Sequence, residues 1–295
     1  MSPEPARSAW PPEREGLAAS DVVMLRQLLF QRAGIVLEAG KEYFLELRLS
    51  ALAWEEGFAS AADVLEAMRT EESWGPLHRR VIECLAIAET SWFRDRHPFD
   101  TLRHEVLPQL LLARAGEKRL RLWSAACASG QEPYSLAMLL QSALVGHPNW
   151  DARVLATDFS LTQLKRAKEG LYSQMEMNRG LPAPMLVHHF RKEDGDWRLR
   201  EDVRAKVEFR ELNLNTPWPA LPMMDVILMR NVLLYFGDEA RRAILRQVRA
   251  QLRPDGVLIM GSGESALPHQ GLFDTVTLGR TVLHRPRPAQ EETPR

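Results

Sequence analysis

The feature that most constrains this fold is a regular alternation of short apolar runs with longer amphipathic runs between residues 119 and 260. The short apolar runs predict buried strands at 119–124, 153–157, 225–229 and 257–260. The amphipathic runs predict helices at 131–145, 161–169 and 238–252. Strands and helices in this order predict an α/β fold with a doubly wound, mostly parallel sheet. Sheets of this kind bind ligands outside the carboxyl ends of their strands.

A different pattern precedes the alternation. Residues 20–89 carry helical periodicity and no clear strand, which predicts a small all-helical N-terminal domain. The α/β domain then extends over residues 90–285. The proline-rich ends of the chain, residues 1–19 and 286–295, are predicted to be disordered tails.

The α/β domain is interrupted by a predicted insertion at about residues 180–207. Short strand patterns occur at 190–192, 197–199 and 207–209. Asp194 and Gly195 form a hairpin signal between the first two of these strands. We therefore expect a small antiparallel β insertion.

Charge and cysteine content exclude several classes of protein. The 38 Lys and Arg residues nearly balance the 39 Asp and Glu residues. Binding to nucleic acid or to an anionic membrane through the overall charge of the protein is therefore not expected. The two cysteines argue against a disulfide scaffold and a cysteine-based zinc site, and we predict no metal site. The sequence has no apolar run of about 18 residues and no signal-peptide pattern. We expect a cytoplasmic protein without direct membrane insertion.

The turn after the first strand, residues 125–130, consists of small residues and reads A-A-C-A-S-G. Small residues let the backbone approach a ligand closely. Because the G-x-G-x-x-G fingerprint is missing, the turn favours a nucleoside-like ligand without a pyrophosphate. A tight packing turn is an equal alternative. Glu132, in the first turn of the next helix, is either a ligand contact or a carboxylate stabilised by the helix dipole.

Polar residues also end two other predicted strands. Asp158 holds the position from which an acidic residue commonly binds ribose hydroxyls, although a helix cap is an alternative. Arg230 and Asn231 end the strand at 225–229. Arginine can hold a carboxylate through two parallel hydrogen bonds, and asparagine offers both a donor and an acceptor. Alternatively, Arg230 pairs with a structural acid such as Asp225. Tyr235 lies in the apolar turn that follows.

Three segments carry a more specific signal. They are residues 90–94, T-S-W-F-R; residues 123–138, W-S-A-A-C-A-S-G-Q-E-P-Y-S-L-A-M; and residues 229–236, M-R-N-V-L-L-Y-F. In this order they resemble motifs of the CheR-type chemotaxis receptor glutamate methyltransferases, which use S-adenosylmethionine (SAM). The resemblance extends over about residues 22–285. It implies a SAM-methyltransferase sheet and S-adenosylhomocysteine as the product.

The resemblance also implies a set of site residues. Those expected to surround the cofactor are Thr90, Arg94, Glu132, Asp158, Asn213, Leu214, Asn231 and Val232. The family's G-H-S-E segment appears here as residues 261–264, G-S-G-E. Ala88 stands where family members often carry asparagine.

The function implied by the resemblance is transfer of a methyl group from SAM to glutamate carboxylates of chemotaxis or chemotaxis-like receptors. The product would be a glutamate methyl ester, and the partner would be the cytoplasmic helical region of a chemoreceptor. Lys41 and Arg48 share one predicted helix face and are candidates for substrate docking, or are simply two solvated charges. The alternative function is a non-catalytic SAM-binding signalling module.

For the reaction, we expect positioning to matter more than proton transfer. A glutamate with a reference pKa near ~4.3 is already ionised at neutral pH, so it needs no general base. Holding it in line with the methyl group can supply roughly 7–11 kcal/mol of the barrier. We hypothesise that Arg94 or Arg230 orients the substrate carboxylate and that Tyr235 shapes the slot.

Overall fold

The computed structural model describes residues 16–38, 40–71, 74–264 and 271–287. Most of both predicted tails, residues 1–19 and 286–295, therefore lies outside the described residues. Contacts divide the chain into two compact units, Met1–Ile87 and Ala88–Arg295. None of the described helices is both long and apolar enough to cross a membrane.

The first unit is helical, as its periodicity predicts. Its helices are α1 (Ala19–Ala33), α2 (Glu42–Glu56), α3 (Ala61–Thr70) and α4 (Pro76–Leu85). Gly34 and Gly57 end α1 and α2 in the left-handed conformation that glycine adopts easily. The Ser60 hydroxyl caps α3 by accepting a hydrogen bond from the Asp63 N–H. Leu25 and Leu45 are fully buried and represent the apolar faces that hold these helices together.

The second unit contains a seven-stranded sheet. In spatial order its strands are β6 (Val207–Glu211), β2 (Asp151–Asp158), β1 (Arg119–Ala125), β7 (Met224–Met229), β8 (Leu252–Met260), β10 (Thr281–Pro286) and β9 (Phe273–Leu278). Strand β10 is antiparallel to both of its neighbours, and the other pairs are parallel. The predicted doubly wound, mostly parallel sheet is confirmed.

Helices and helical turns connect these strands. They are α5 (His97–Thr101), a π-helical turn (Leu102–Val106), α6 (Leu107–Ala113), α7 (Gln131–Ala143), α8 (Leu161–Glu169), α9 (Gln174–Met177), α10 (Ala183–His189), α11 (Glu201–Arg204), a 3₁₀ turn (Leu233–Tyr235) and α12 (Asp238–Gln251).

Side chains on both faces of the sheet are buried. Leu122 of β1 belongs to the core on one face, and its neighbour Trp123 belongs to the core on the other. Leu228 and Ile227 of β7 divide in the same way. Because strands buried on both faces read as continuous apolar runs, the sheet's core strands were recognisable in the sequence.

The strand order reverses at β1, which pairs with β2 on one side and with β7 on the other. Trp123 of β1 lies opposite Leu155 of β2 and Ile227 of β7. The carboxyl ends of β1, β2, β6 and β7 therefore meet at one edge of the sheet, referred to below as the carboxyl edge. A reversal of this kind opens the crevice in which α/β sheets bind ligands.

The small antiparallel insertion is present, but its third strand differs from the prediction. Its sheet has the order β3 (Leu171–Tyr172), β5 (Asp196–Leu199) and β4 (Phe190–Glu193). The predicted strand at 207–209 is instead part of β6, where Val207 lies opposite Val154 of β2. The predicted insertion at about 180–207 therefore begins too late, because the small sheet already begins at Leu171.

Candidate functional site

The turn between β1 and α7 has an unusual backbone. Ala126 and Ala128 have positive φ angles of 54° and 48°, and Gly130 has a φ of 96°. A Cβ atom on Gly130 would lie 2.9 Å from the Cβ of Ala167, so a side chain does not fit there. The packing interpretation thus accounts for Gly130. It does not account for the two strained alanines, since such strain persists only where the surroundings enforce it.

Asp158, at the end of β2, is joined to this turn. Its carboxylate accepts hydrogen bonds from the backbone N–H of Ala128 at 2.8 Å and of Ser160 at 2.9 Å. The Asp158 residue is buried. The same carboxylate therefore fixes the first turn and the segment that leads to α8. The helix cap considered for Asp158 is supplied instead by Ser160, whose hydroxyl accepts a hydrogen bond from the Gln163 N–H at 3.2 Å.

The loop after β6 lies beside Asp158. The Leu212 N–H donates to the Asp158 carbonyl at 3.0 Å, so the two strand ends stay in register. The Asn213 side-chain oxygen accepts a hydrogen bond from the Asn215 N–H at 2.9 Å, and Leu214 is buried. Asn213 and Leu214 therefore lie at the carboxyl edge, next to β2.

Glu132 and Arg230 form a buried ion pair. Arg230 Nη1 lies 3.0 Å from a Glu132 carboxylate oxygen, and the other oxygen of Glu132 accepts a 2.7 Å bond from the Ser124 hydroxyl. Arg230 Nη2 donates to Asp95 at 2.6 Å and to the Arg94 carbonyl at 2.9 Å. The Arg230 side chain is only 1% exposed. It links the start of α7, the end of β7 and the 94–95 segment.

This geometry corrects the role predicted for Arg230. A guanidinium that is buried and bonded to two carboxylates is not presented to an incoming substrate. The suggested pairing with Asp225 is also wrong, because Asp225 accepts its hydrogen bonds from Arg114 and from the Arg121 N–H, each at 2.8 Å. The acids that hold Arg230 are Glu132 and Asp95.

Arg94 and Tyr235 lie close together at the carboxyl edge. The Arg94 guanidinium is partly exposed and donates to the Glu89 carbonyl at 3.1 Å. Burial raises the pKa of the Tyr235 hydroxyl, and the nearby Arg94 charge partly opposes that increase. Thr90, on the same segment as Arg94, is partly buried. These three residues therefore keep the partial exposure that contact with a ligand requires.

Asn231 and Val232 follow β7 and are held by a residue that sequence reasoning missed. The Glu264 carboxylate accepts hydrogen bonds from the Asn231 N–H at 2.6 Å and the Val232 N–H at 2.7 Å. Asn231 has a φ of 58°, and its side-chain oxygen is buried without a hydrogen-bond partner among the residues that the structure describes. The only sequence signal for Glu264 was its place in the G-S-G-E segment.

Backbone strain is concentrated around these residues. Of the nine non-glycine residues with positive φ in the described ranges, six lie in the three segments that Arg230 and Asp158 tie together: Phe93, Asp95, Arg96, Ala126, Ala128 and Asn231. Strained backbone of this kind clusters at functional sites. The carboxyl edge is therefore the candidate site.

Two other predicted features belong to the other unit or are inert. Lys41 and Arg48 belong to the first unit, and both are exposed. The Arg48 guanidinium lies 5.2 Å from the centre of the Phe44 ring, which holds it against its own helix. Cys127 is buried, and burial raises the pKa of its thiol, so it behaves as a small packing residue.

The donor set at the carboxyl edge fits the cofactor that the resemblance implies. Asp158 offers a carboxylate suited to ribose hydroxyls, and Arg94 offers a cation suited to the carboxylate of a methionyl group. The buried, unpaired oxygen of Asn231 is a specific indication, because an unsatisfied acceptor costs about 1–3 kcal/mol unless a ligand donor meets it.

Comparisons with known proteins agree with this assignment. The family described as "CheR methyltransferase, SAM binding domain" matches residues 88–282. Chemotaxis protein methyltransferase 1 of Pseudomonas aeruginosa is 38% identical over 272 residues, which cover 91% of this chain and 98% of that protein. Chemotaxis protein methyltransferase Cher2 of Pseudomonas putida is 34% identical, with coverages of 83% and 90%. Chemotaxis protein methyltransferase 1 of Vibrio cholerae is 32% identical, with coverages of 88% and 94%.

Proposed function

Because this chain belongs to the CheR family of SAM-dependent methyltransferases, we propose that it methylates glutamate side chains of chemotaxis or chemotaxis-like receptors. The product is a glutamate methyl ester, and the protein partner is the cytoplasmic helical region of the receptor. The observation that carries the proposal is the set of strained, interlinked segments at the carboxyl edge, where Asp158, Asn231 and Arg94 supply the donors and acceptors that SAM requires.

The reaction places modest demands on this chain. Bound SAM supplies a methyl group already activated by its sulfonium, and a glutamate carboxylate is ionised at neutral pH. No residue therefore has to remove a proton from the nucleophile. What the protein must do is bind both partners in line and keep water away from the carboxylate.

Each residue at the carboxyl edge has a part in this positioning. Asp158 would accept hydrogen bonds from the ribose hydroxyls, while Asn213 and Asn231 with their neighbours Leu214 and Val232 would surround the base. Thr90 and Arg94 would hold the methionyl end. The Arg94 charge acts on the Tyr235 hydroxyl, and we assign both residues to one wall of the slot that receives the glutamate.

Arg230 contributes indirectly. It holds Glu132 in the β1–α7 region and ties the 94–95 segment to the end of β7. We therefore assign Arg230 as a positioning residue and leave orientation of the substrate carboxylate to Arg94. Glu132 is fixed by Ser124 and Arg230 at the start of α7, where its carboxylate would hold the methionyl ammonium of SAM.

Docking of the receptor is assigned to the first unit. Lys41 and Arg48 are exposed cations near the start and the middle of α2, respectively. Residues 20–89 contain seven Lys and Arg residues against twelve Asp and Glu residues. Any attraction to an acidic receptor helix must therefore come from a local patch, and these two cations are its candidates.

The test is incubation of the full chain with methyl-labelled SAM and a receptor cytoplasmic fragment from the same cell. We expect base-labile label on the fragment, and none on a fragment whose helical-region glutamates are replaced by glutamine. Arg94→Ala should reduce transfer roughly tenfold or more, since it removes a charge-assisted contact. Arg242→Ala, a change at an exposed arginine of α12 to which no role at the site is assigned, is the matched control and should retain transfer.

The outcomes separate the proposal from its rival. Wild-type protein that binds S-adenosylhomocysteine but labels no receptor glutamate would support the non-catalytic signalling module. Failure to bind S-adenosylhomocysteine at all would reject both functions.

A further inference from the structure

Glu264 is a buried carboxylate bonded mainly to backbone. The residue has 0% exposure. Its two oxygens accept four backbone hydrogen bonds, from Gly261 at 2.8 Å, Asn231 at 2.6 Å, Val232 at 2.7 Å and Leu234 at 3.3 Å. A carboxylate only accepts hydrogen bonds, so it suits a group of converging N–H donors.

These donors come from two separate segments. Gly261 belongs to the turn after β8, whereas the other three belong to the loop after β7. Glu264 therefore joins the two loops across the carboxyl edge, and residues 231–234 owe their position partly to a side chain about 30 residues later in the chain. Asn231 is held in the left-handed region, which asparagine adopts more readily than most residues but which still costs energy.

Gly261 completes the arrangement. A Cβ atom there would lie 2.6 Å from a Glu264 oxygen and 3.1 Å from the Asn231 side-chain nitrogen. Because no other residue leaves this space open, glycine lets the Asn231 amide lie against the turn. The other end of that amide, its oxygen, is buried and has no partner in the described part of the chain.

We propose that Glu264 is a positioning residue for the methyl donor. By holding the backbone of residues 231–234, it presents the Asn231 side-chain oxygen as an acceptor for an N–H or O–H group of the SAM nucleoside. This inference rests on the proposed SAM site and adds to it a residue that need not touch the ligand. The strain at Asn231 and its unpaired oxygen both cost free energy. A hydrogen bond donated by the nucleoside to that oxygen offsets this cost.

The chemistry of Glu264 explains why a near-isosteric residue would not replace it. Glutamine would turn one acceptor oxygen into an NH₂ group, which would face the N–H groups of Gly261 and Asn231 or those of Val232 and Leu234. Aspartate is one methylene shorter and would not reach both loops. Both changes would loosen residues 231–234 while keeping the rest of the sheet.

The test is calorimetric binding of S-adenosylhomocysteine to the full chain. We expect Glu264→Gln to weaken binding up to about tenfold and by no more than Asn231→Ala does, because the only ligand contact that it disturbs is the hydrogen bond to Asn231. The matched control is Asp225→Asn, which alters another carboxylate, 1% exposed, at the opposite edge of the sheet. Asp225 also accepts backbone and arginine hydrogen bonds, so its variant should lose stability yet bind the ligand normally.

A second variant isolates the mechanism and covers the case in which Glu264→Gln fails to fold. Asn231→Ala removes the acceptor itself and should weaken binding about tenfold or more. If Glu264 acts through Asn231, the variant that carries both changes should bind S-adenosylhomocysteine at most about twofold more weakly than Asn231→Ala alone.

Two results would overturn the inference. One is Glu264→Gln or Asn231→Ala protein that binds S-adenosylhomocysteine within twofold of wild type. The other is an equal loss of affinity in Asp225→Asn, which would reduce the effect to general stability. Wild-type protein that fails to bind the ligand would instead reject the proposed function, so the two failures are distinguishable.

Discussion

Replacing Arg230 by methionine tests whether this residue is a structural clamp. The change leaves Glu132, whose side chain is 11% exposed, as an unpaired buried carboxylate. Removing one partner of such a pair typically costs about 3–5 kcal/mol. Asp95 is 40% exposed and can be solvated, so losing its bond to Arg230 should add at most about 1 kcal/mol. We therefore expect Arg230→Met to lower the melting temperature of the second unit by about 6–24 °C.

The assay is thermal and urea unfolding of wild type, Arg230→Met, Glu132→Gln and the double variant. Because neutralising Glu132 removes the unpaired charge, the double variant should be at least about 1 kcal/mol more stable than Arg230→Met. Asp95→Asn serves as the exposed control and should lose less than about 1 kcal/mol. An Arg230→Met protein within about 1 kcal/mol of wild type would refute the clamp and return Arg230 to the candidates for substrate contact.

Two further predictions concern other parts of the second unit. Gly130→Ala should lower the free energy of unfolding by more than about 1 kcal/mol, because the new side chain combines a positive φ with a steric clash. Gly146 has a similar φ but open space around it, so Gly146→Ala should lower the free energy of unfolding by less. Equal melting temperatures for the two variants would contradict this. Burial lowers the pKa of His189. Since the unfolded chain then binds the proton more readily, stability should fall as pH drops below about 6.5 and be unaffected above it. His189→Gln should show a smaller loss of urea midpoint between pH 7.5 and 5.5, and an unchanged loss would count against the buried histidine.

Much of the sheet could be predicted because its central strands are buried on both faces. Residues 226–229 read as an uninterrupted apolar run and form most of β7. Residues 207–209 were placed in the wrong sheet for the opposite reason. Their alternating exposure is typical of an edge strand, and only the pairing of Val207 with Val154, far away in sequence, identifies which sheet they join.

The site shows the same division between local and distant information. Asp158 and Asn231 could be chosen because strand ends at a reversal of strand order are where ligands bind. The partners of Arg230 could not be predicted from the sequence, because Asp95 lies 135 residues and Glu132 lies 98 residues from Arg230 along the chain. The role of Glu264 could not be predicted for a similar reason. Its hydrogen bonds to the loop after β7 form only because β7 and β8 lie side by side in the sheet.

The most direct test of the account is a crystal structure of the full chain soaked with S-adenosylhomocysteine. We expect the nucleoside at the carboxyl edge, with its ribose hydroxyls bonded to Asp158, a donor group bonded to the Asn231 side-chain oxygen, and its carboxylate near Arg94. Ligand bound elsewhere, or a carboxyl edge closed by side chains in crystals that contain the ligand, would contradict the central claim.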